Sequence, residues 1–327
     1  MKIAILGAGA MGTTMAEVAA RNNHNVFLWN WEGDLTPLRQ IDKWRENKKY
    51  LPGFLLHKGI IPEKSLESTL MGAQVVCFAV PTAVIASIFT SCKPFIDKKS
   101  ILVDMAKGLD GKTSRPITTI MGKVFPKNPL VVMSGPAVAL DIMKGYYTQM
   151  DLASQKRKAA KTVQEIFSSS TMGFDLRDDV VGVELAGAFK NVYAIALGLC
   201  DGLGYGLNTK AAFLTHAMEE MACVVEAFGG KRKTVYGLSG FGDLIGTALS
   251  DNSRNRCFGE YLGRGLSVEK ALKKVGKVVE GKSATFALIS FAKKKNKNVP
   301  LANMVSSILS GEVSARCALE TYLQSHF

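Results

Sequence analysis

Paired cysteines are missing from this sequence. Its six cysteines (Cys77, Cys92, Cys200, Cys223, Cys257 and Cys317) stand far apart, with no C-x-x-C pair and no histidine cluster beside them. That scatter argues against a zinc site and a disulfide framework, so we expect no metal and a reduced, cytoplasmic protein. No secretory leader is expected, because the first apolar run, "IAIL", is short and leads straight into glycines. The longest uncharged stretch, "MGAQVVCFAVPTAVIASIFTSC", is split by Pro81 into a strand-like and an amphipathic half, so no membrane insertion is expected. Lysine runs such as "KPFIDKK", "QKRKAAK" and "AKKKNKNV" are not interleaved with the aromatic residues of a base-stacking platform, which argues against nucleic acid. There is also no internal repeat and no low-complexity tract.

What is present is a chain of 327 residues, 47% hydrophobic and 21% charged, which suits two well-filled globular domains. Its net charge of +13 suggests an anionic partner, and a phosphorylated metabolite is one candidate. A solvated lysine surface explains the charge equally well.

The first half alternates strand-like and helix-like runs. "KIAILGAG" is a buried-strand pattern followed at once by Gly7, Gly9 and Gly12, and "TTMAEVAAR" then favours a helix. After the breaker "NNHN", "VFLW" is the next strand. Strand, glycine turn, helix and strand within about thirty residues are the context that gives G-x-G-x-x-G its meaning. Gly7 permits the turn, Gly9 lets backbone approach a pyrophosphate, and Gly12 lets helix pack on strand; the helix start attracts the phosphate charge. Glu32 lies 20 positions after Gly12, where such folds place the carboxylate that bonds the adenosine ribose. Its alternative is a surface residue of the turn "NWEGD". Further strand-like runs, "AQVVCFAV", "SILVDMA" and "PLVVMSG", point to Pro81, Thr82, Lys107 and the segment 134–137, because ligands sit beyond the carboxyl ends of such strands.

Near residues 178–182 the texture changes, and Ala, Leu, Met and Glu recur at helical spacing. "VELAGAFKNVYAIALGLCDGLGYG" contains one cation, Lys190, which either snorkels from one face or is held for a purpose. Beyond it, "GLSGFGDLIGTALSDNSRNRCFGEYLGRG" holds Asp243, Thr247, Arg254, Asn255 and Arg256 among glycines. Such a stretch offers a phosphate backbone N–H groups and guanidinium forks, or forms a helix cap at Ser253.

Together, "GAGAMG", "ENKKYLPG", "AKGL", "SGPA", "ELAGAFKNVYAIALGLCDGLGYGLNTKAAFLT", "GLSGFGDLIGT", "SRNR" and "VVEG" resemble the NAD(P)-dependent glycerol-3-phosphate dehydrogenases over nearly the whole chain. The resemblance implies an α/β Rossmann-type dinucleotide-binding domain at 1–180 and an all-α substrate domain at 181–327, usually in a homodimer. The implied reaction is reversible hydride transfer between NAD(P)H and dihydroxyacetone phosphate, giving sn-glycerol 3-phosphate for glycerophospholipid synthesis. Carried over by motif, Lys190 takes the acid/base position, Lys107 is a second active-site lysine near substrate and nicotinamide, and Asp243 and Thr247 line the substrate site. Ser253, Arg254 and Asn255 match the phosphate-holding segment, while Gly135 and Ala137 match a substrate contact. On the cofactor side stand Gly7, Gly9, Ala10, Met11, Gly12, Trp31, Glu32, Lys107, Ala139, Arg254, Val278 and Glu280. A Lys107 cation and partial burial would lower the pKa of Lys190, and Asp243 would oppose that shift.

Three departures stand out. Ala137 replaces the Ser or Thr of many members, removing a hydroxyl. His216 and Ala217 stand where bacterial members commonly have Arg-Gly, and we expect a structural role for His216. After the second strand, "LWNWEGD" offers Trp31, Glu32 and Asp34 with no cation before Arg39, which favours NAD over NADP. The alternatives are a related two-domain dehydrogenase acting on another hydroxy acid and a non-catalytic nicotinamide-binding sensor.

Overall fold

Continuous apolar runs without alternation belong to strands buried on both faces, and the first run behaves that way. The structure, a computed structural model, describes residues 1–110, 113–251, 253–276 and 278–326. It divides into two compact units, Met1–Val180 and Val181–Phe327.

The first unit holds the strands β1 (Lys2–Leu6), β2 (Asn25–Trp29), β3 (Ile60–Glu63), β4 (Val75–Phe78), β5 (Ile101–Asp104), β6 (Leu130–Ser134), β7 (Thr148–Ala153) and β8 (Met172–Arg177). Between them run α1 (Ala10–Arg21), α2 (Thr36–Trp44), α3 (Leu66–Leu70), α4 (Thr82–Cys92), α5 (Ile117–Val124), α6 (Ala139–Met143) and α7 (Arg157–Phe167). The sheet order is β3-β2-β1-β4-β5-β6-β7-β8. Strands β3 to β6 are parallel, β7 runs antiparallel to β6, and β8 is parallel to β7. Order reverses at β1, whose Ile5 faces Leu28 of β2 on one side and Cys77 of β4 on the other. That reversal opens a crevice at the carboxyl ends of β1 and β4, the place where such sheets bind nucleotides.

Both sheet faces are covered. Ile3 and Ile5 join Met15, Ala16, Val103 and Met133 in one core, while Ala4 and Leu6 join Phe78, Phe89, Leu102 and Ile117 in the other. Phe78 and Phe89 meet edge to face at 4.8 Å, a favourable quadrupole arrangement. This is the Rossmann-type layering expected for the first half. Strands β3, β7 and β8 add to the expected set: Pro62 and Glu63 mask β3, and "TQMDLA" and "MGFDLR" carry carboxylates within the strand.

The second unit is helical: α8 (Val180–Leu203), α9 (Leu207–Ala227), α10 (Arg232–Val235), α11 (Asp243–Ala248), α12 (Arg254–Gly263), α13 (Val268–Val275), α14 (Glu280–Lys294), α15 (Pro300–Leu309) and α16 (Ala315–His326). Among the described residues, α8 is the one helix long and apolar enough to cross a membrane, but 89% of its most apolar window is buried, so it is a core helix. It packs on α12 backbone to backbone. A Cβ on Gly198 would lie 2.1 Å from the Arg256 carbonyl oxygen, and one on Gly259 would lie 2.1 Å from that of Ile195. Only glycine permits this approach, which brings the α12 segment carrying "SRNR" against the middle of α8.

Candidate active site

The glycine loop between β1 and α1 has the shape that its sequence implies. Gly7 adopts φ +111°, and a Cβ there would lie 2.4 Å from the Ala79 carbonyl oxygen just after β4. At Gly12 a Cβ would lie 1.9 Å from the Gly7 oxygen, so loop and helix touch through backbone. Gly9 differs, because among the described residues nothing lies within 4 Å of its Cβ position. Gly9 is the N-cap of α1 without a side-chain cap, and Ala10, Met11 and Gly12 form the first turn. First-turn amides have no intrahelical acceptor, and the helix dipole adds positive potential there. The open face at Gly9 and the uncapped helix start thus fit a pyrophosphate, and the residues present fit a dinucleotide.

Trp31 and Glu32 are exposed immediately beyond β2, and Glu32 opens a single 3₁₀ turn, Glu32–Asp34. The sequence offered no cation here before Arg39, but folding supplies one. Lys49 Nζ lies 2.7 Å from Asp34 Oδ2, and the Tyr50 hydroxyl donates to the same oxygen at 3.3 Å. Burial works to raise the Asp34 pKa, but these partners hold it below the usual carboxylate range.

Lys107 follows β5 and Gly135 follows the adjacent β6. The Lys107 ammonium donates to the Gly135 carbonyl at 2.6 Å, so two of the expected substrate contacts are brought together. Gly135 has φ +141°, and a Cβ there would lie 2.9 Å from Met150 Cα of β7. Ala137 sits in the loop before α6, and Ala139 opens that helix with its carbonyl 3.5 Å from the Thr14 hydroxyl of α1.

In the second unit, Lys190 is 5% exposed and Asp243 3% exposed. Lys190 does not snorkel. Its Nζ lies 3.0 Å from Asp243 Oδ1 and 2.5 Å from Thr247 Oγ1. A wide π turn over Leu238–Gly242 leads into α11 and delivers Asp243, with Thr247 one helical turn later. Burial alone penalises an ammonium, and the carboxylate at ion-pair distance offsets that penalty.

The next residue, Asn191, accepts from Asn255 Nδ2 at 2.8 Å, and Asn255 Oδ1 accepts the Gly281 amide at 2.9 Å. Consecutive α8 residues therefore tie α11, α12 and α14 together. Ser253 is the N-cap of α12, its hydroxyl accepting from the Arg256 amide at 3.3 Å. Arg254 is exposed at the first position of α12 and donates to the Val278 carbonyl at 3.0 Å, two residues before Glu280 opens α14. Arg256 is bound to Asp201 at 2.8 Å.

The sequence carries no local signal for Asn30, Lys49, Asn47 and Asn191, which the structure ties to these segments. Asn47 and Lys49 lie in "ENKKYLPG", where no spacing rule marks them, and Asn191 is the plain neighbour of Lys190. His216 lies on α9 with Nδ1 2.8 Å from the Tyr322 hydroxyl of α16, in keeping with a structural role. Burial, aided by the His326 charge, lowers its pKa. Cys77, Cys92 and Cys200 are unreactive thiols, pushed up to about 12 by burial.

The family model described as NAD-dependent glycerol-3-phosphate dehydrogenase N-terminus matches residues 2–160, and its C-terminal counterpart matches 179–320. The chain is 35% identical over 325 residues to the glycerol-3-phosphate dehydrogenase [NAD(P)+] of Bacillus subtilis, covering 98% of this chain and 94% of the relative. It is 34% identical over 319 residues to that of Clostridium tetani, covering 97% and 91%. A crystal structure of glycerol-3-phosphate dehydrogenase from Coxiella burnetii superposes with a TM-score of 0.93 at 34% identity, covering 98% of each chain. A ketopantoate reductase from Ralstonia eutropha matches at 0.60 and 16% identity, which is a likeness of fold alone. Two family models that together span nearly the whole sequence, and full-length relatives above a third identical, place this chain in the NAD(P)-dependent glycerol-3-phosphate dehydrogenase family.

Proposed function

We propose that this protein interconverts dihydroxyacetone phosphate and sn-glycerol 3-phosphate with NADH or NADPH. The observation that carries the reading is the buried Lys190 ammonium held between Asp243 and Thr247. When bound, the reduced nicotinamide supplies hydride to the ketone carbon. Lys190 donates a hydrogen bond to the C2 oxygen, stabilises the negative charge that develops there, and delivers the proton. In the reverse direction the same nitrogen, neutral, accepts that proton. Asp243 and Thr247 fix its position, so the proton is held where the oxygen needs it. Such a group contributes roughly 10²–10⁴-fold in rate.

Arg254 and the Ser253-capped start of α12 are the proposed phosphate holders, through guanidinium donors and first-turn amides. Asn255 then acts mainly by fixing that helix start, since its side chain is engaged with Asn191 and Gly281. Lys107 and Gly135 are the contacts proposed from the first unit, and the absence of a hydroxyl at Ala137 leaves that contact to backbone. The cofactor residues proposed are Gly7, Gly9, Ala10, Met11, Gly12, Trp31, Glu32, Lys107, Ala139, Arg254, Val278 and Glu280.

Glu32 supports a preference for NAD, because a carboxylate accepts the ribose hydroxyl bond and repels a 2′-phosphate. The Lys49 ammonium at Asp34 supports use of NADP as well. A cytoplasmic homodimer supplying glycerophospholipid synthesis accompanies the proposal, on the family resemblance and on six free thiols.

The test follows the absorbance of reduced nicotinamide with dihydroxyacetone phosphate. Equimolar formation of glycerol 3-phosphate supports the reading; folded protein that binds a nucleotide but leaves it unoxidised overturns it.

A further inference from the structure

Ala8, between two glycines of the loop, is gripped at both of its backbone polar groups. Its N–H donates to Asn30 Oδ1 at 3.1 Å, and its carbonyl accepts from Asn47 Nδ2 at 2.9 Å. Asn47 Nδ2 also donates to the Thr13 hydroxyl of α1 at 2.8 Å, and Asn30 Nδ2 donates to the Asp34 carbonyl at 2.7 Å. Asn47 is fully buried and Asn30 nearly so. Facing a carbonyl, the Asn47 amide can present only its NH₂ group, and its buried Oδ1 has no partner among the described residues.

We propose that Asn47 and Asn30 are positioning residues for the dinucleotide. This rests on the reading of the first unit as the nucleotide-binding one. Gly9 gives the loop backbone freedom, and among the described residues no atoms lie within 4 Å of its Cβ position to limit it. The two asparagines remove that freedom by fixing the peptide between the glycines, so the adjoining amides are aimed before any nucleotide arrives. Through Asp34, Asn30 also links the pyrophosphate loop to the turn carrying Glu32. A loop ordered in advance loses less entropy on binding, so the effect belongs in nucleotide affinity.

The test titrates NADH and ADP-ribose by calorimetry into the full chain and three variants. Asn47→Ala removes the grip, and Asn47→Asp keeps its size and an oxygen but cannot donate to the Ala8 carbonyl. Asn22→Ala is the control, because Asn22 holds the Ile166 and Ser168 carbonyls in the same unit without touching the loop. Both Asn47 variants are expected to weaken binding of each ligand at least tenfold, with the KM for dihydroxyacetone phosphate at saturating NADH unchanged. Asn22→Ala is expected to stay within twofold of wild type in affinity, whatever its loss in Tm. Hydrogen exchange in residues 7–13 of the nucleotide-free Asn47 variants is expected to quicken. Wild-type affinity in the Asn47 variants, or equal weakening by Asn22→Ala, overturns the proposal and leaves the dehydrogenase reading intact. Wild-type protein that binds neither ligand overturns both.

Discussion

Replacing Lys190 by Met keeps the length of the stem and removes the charge, which separates chemistry from packing. In the native chain its ammonium stands 3.0 Å from an Asp243 carboxylate that is 3% exposed. Taking away one partner leaves the other charge buried, and such losses run to about 3–5 kcal/mol. At about 2–4 °C per kcal/mol for a body of this size, Lys190→Met is expected to lower the Tm by about 10 °C. The double variant Lys190→Met/Asp243→Asn removes both charges and is expected to regain most of that stability. Activity behaves differently. Both variants lose the acid/base group, so reduction of dihydroxyacetone phosphate by NADH is expected to fall by at least about 10² in kcat. Steady-state kinetics and calorimetric melting on all three proteins read the two effects apart. Turnover near wild type in either variant refutes the acid/base assignment. A double variant as unstable as the single refutes the ion-pair account of the burial.

Four further outcomes follow from named contacts. Gly198→Ala places a methyl 2.1 Å from the Arg256 carbonyl oxygen, so α8 and α12 have to part; a loss of at least about 1–3 kcal/mol is expected in denaturant melts. Glu220 caps α15 through the Leu301 and Ala302 amides, and burial pushes its carboxyl from 4.5 up to about 7. Its contribution is fully present below pH 4.5, where both folded and unfolded states hold the proton. It declines as pH rises towards about 7, because the unfolded chain releases the proton first, a change of up to about 3 kcal/mol. Glu220→Gln is expected to flatten this part of the stability–pH curve, and an unchanged slope contradicts the assignment. Glu32→Gln is expected to lower, and Lys49→Ala to raise, the NADH/NADPH ratio of kcat/KM, each by about tenfold, the effect of about 1.4 kcal/mol; two unmoved ratios would show that the turn after β2 does not select the cofactor. Arg254→Ala is expected to raise the KM for dihydroxyacetone phosphate, with some loss of kcat if phosphate binding supports the chemical step. Unchanged affinity for the ketone would remove Arg254 from the phosphate site.

The fold was legible where one local rule acts alone. β1 with its three glycines and α8 with its long apolar run announce themselves, because buried parallel strands and core helices need no polar alternation. β7 and β8 stayed hidden since their Asp151, Asp175 and Arg177 look like surface charges; in the structure Arg177 joins both carboxylates at 2.8 Å. The resemblance already set Asp243 near Lys190, 53 positions away, but no local rule shows how the chain brings them into contact, which takes the π turn before α11. The contacts of Lys49 and Asn47 were not readable at all. Both lie in the loop after α2, and only chain closure brings that loop back to Asp34 and Ala8. Loops of this kind carry their meaning in three-dimensional return, which no periodicity records.

On the proposed function, Lys190 and the start of α12 serve a phosphorylated ketone. The most direct measurement compares NADH oxidation by dihydroxyacetone phosphate, by unphosphorylated dihydroxyacetone and by a branched 2-keto acid, in the same protein sample. Rapid oxidation is expected with the phosphorylated ketone, and a kcat/KM at least about 10² lower for each competitor, the effect of losing charged hydrogen bonds together worth about 3 kcal/mol. Equal rates with and without the phosphate, or preference for the keto acid, would contradict it.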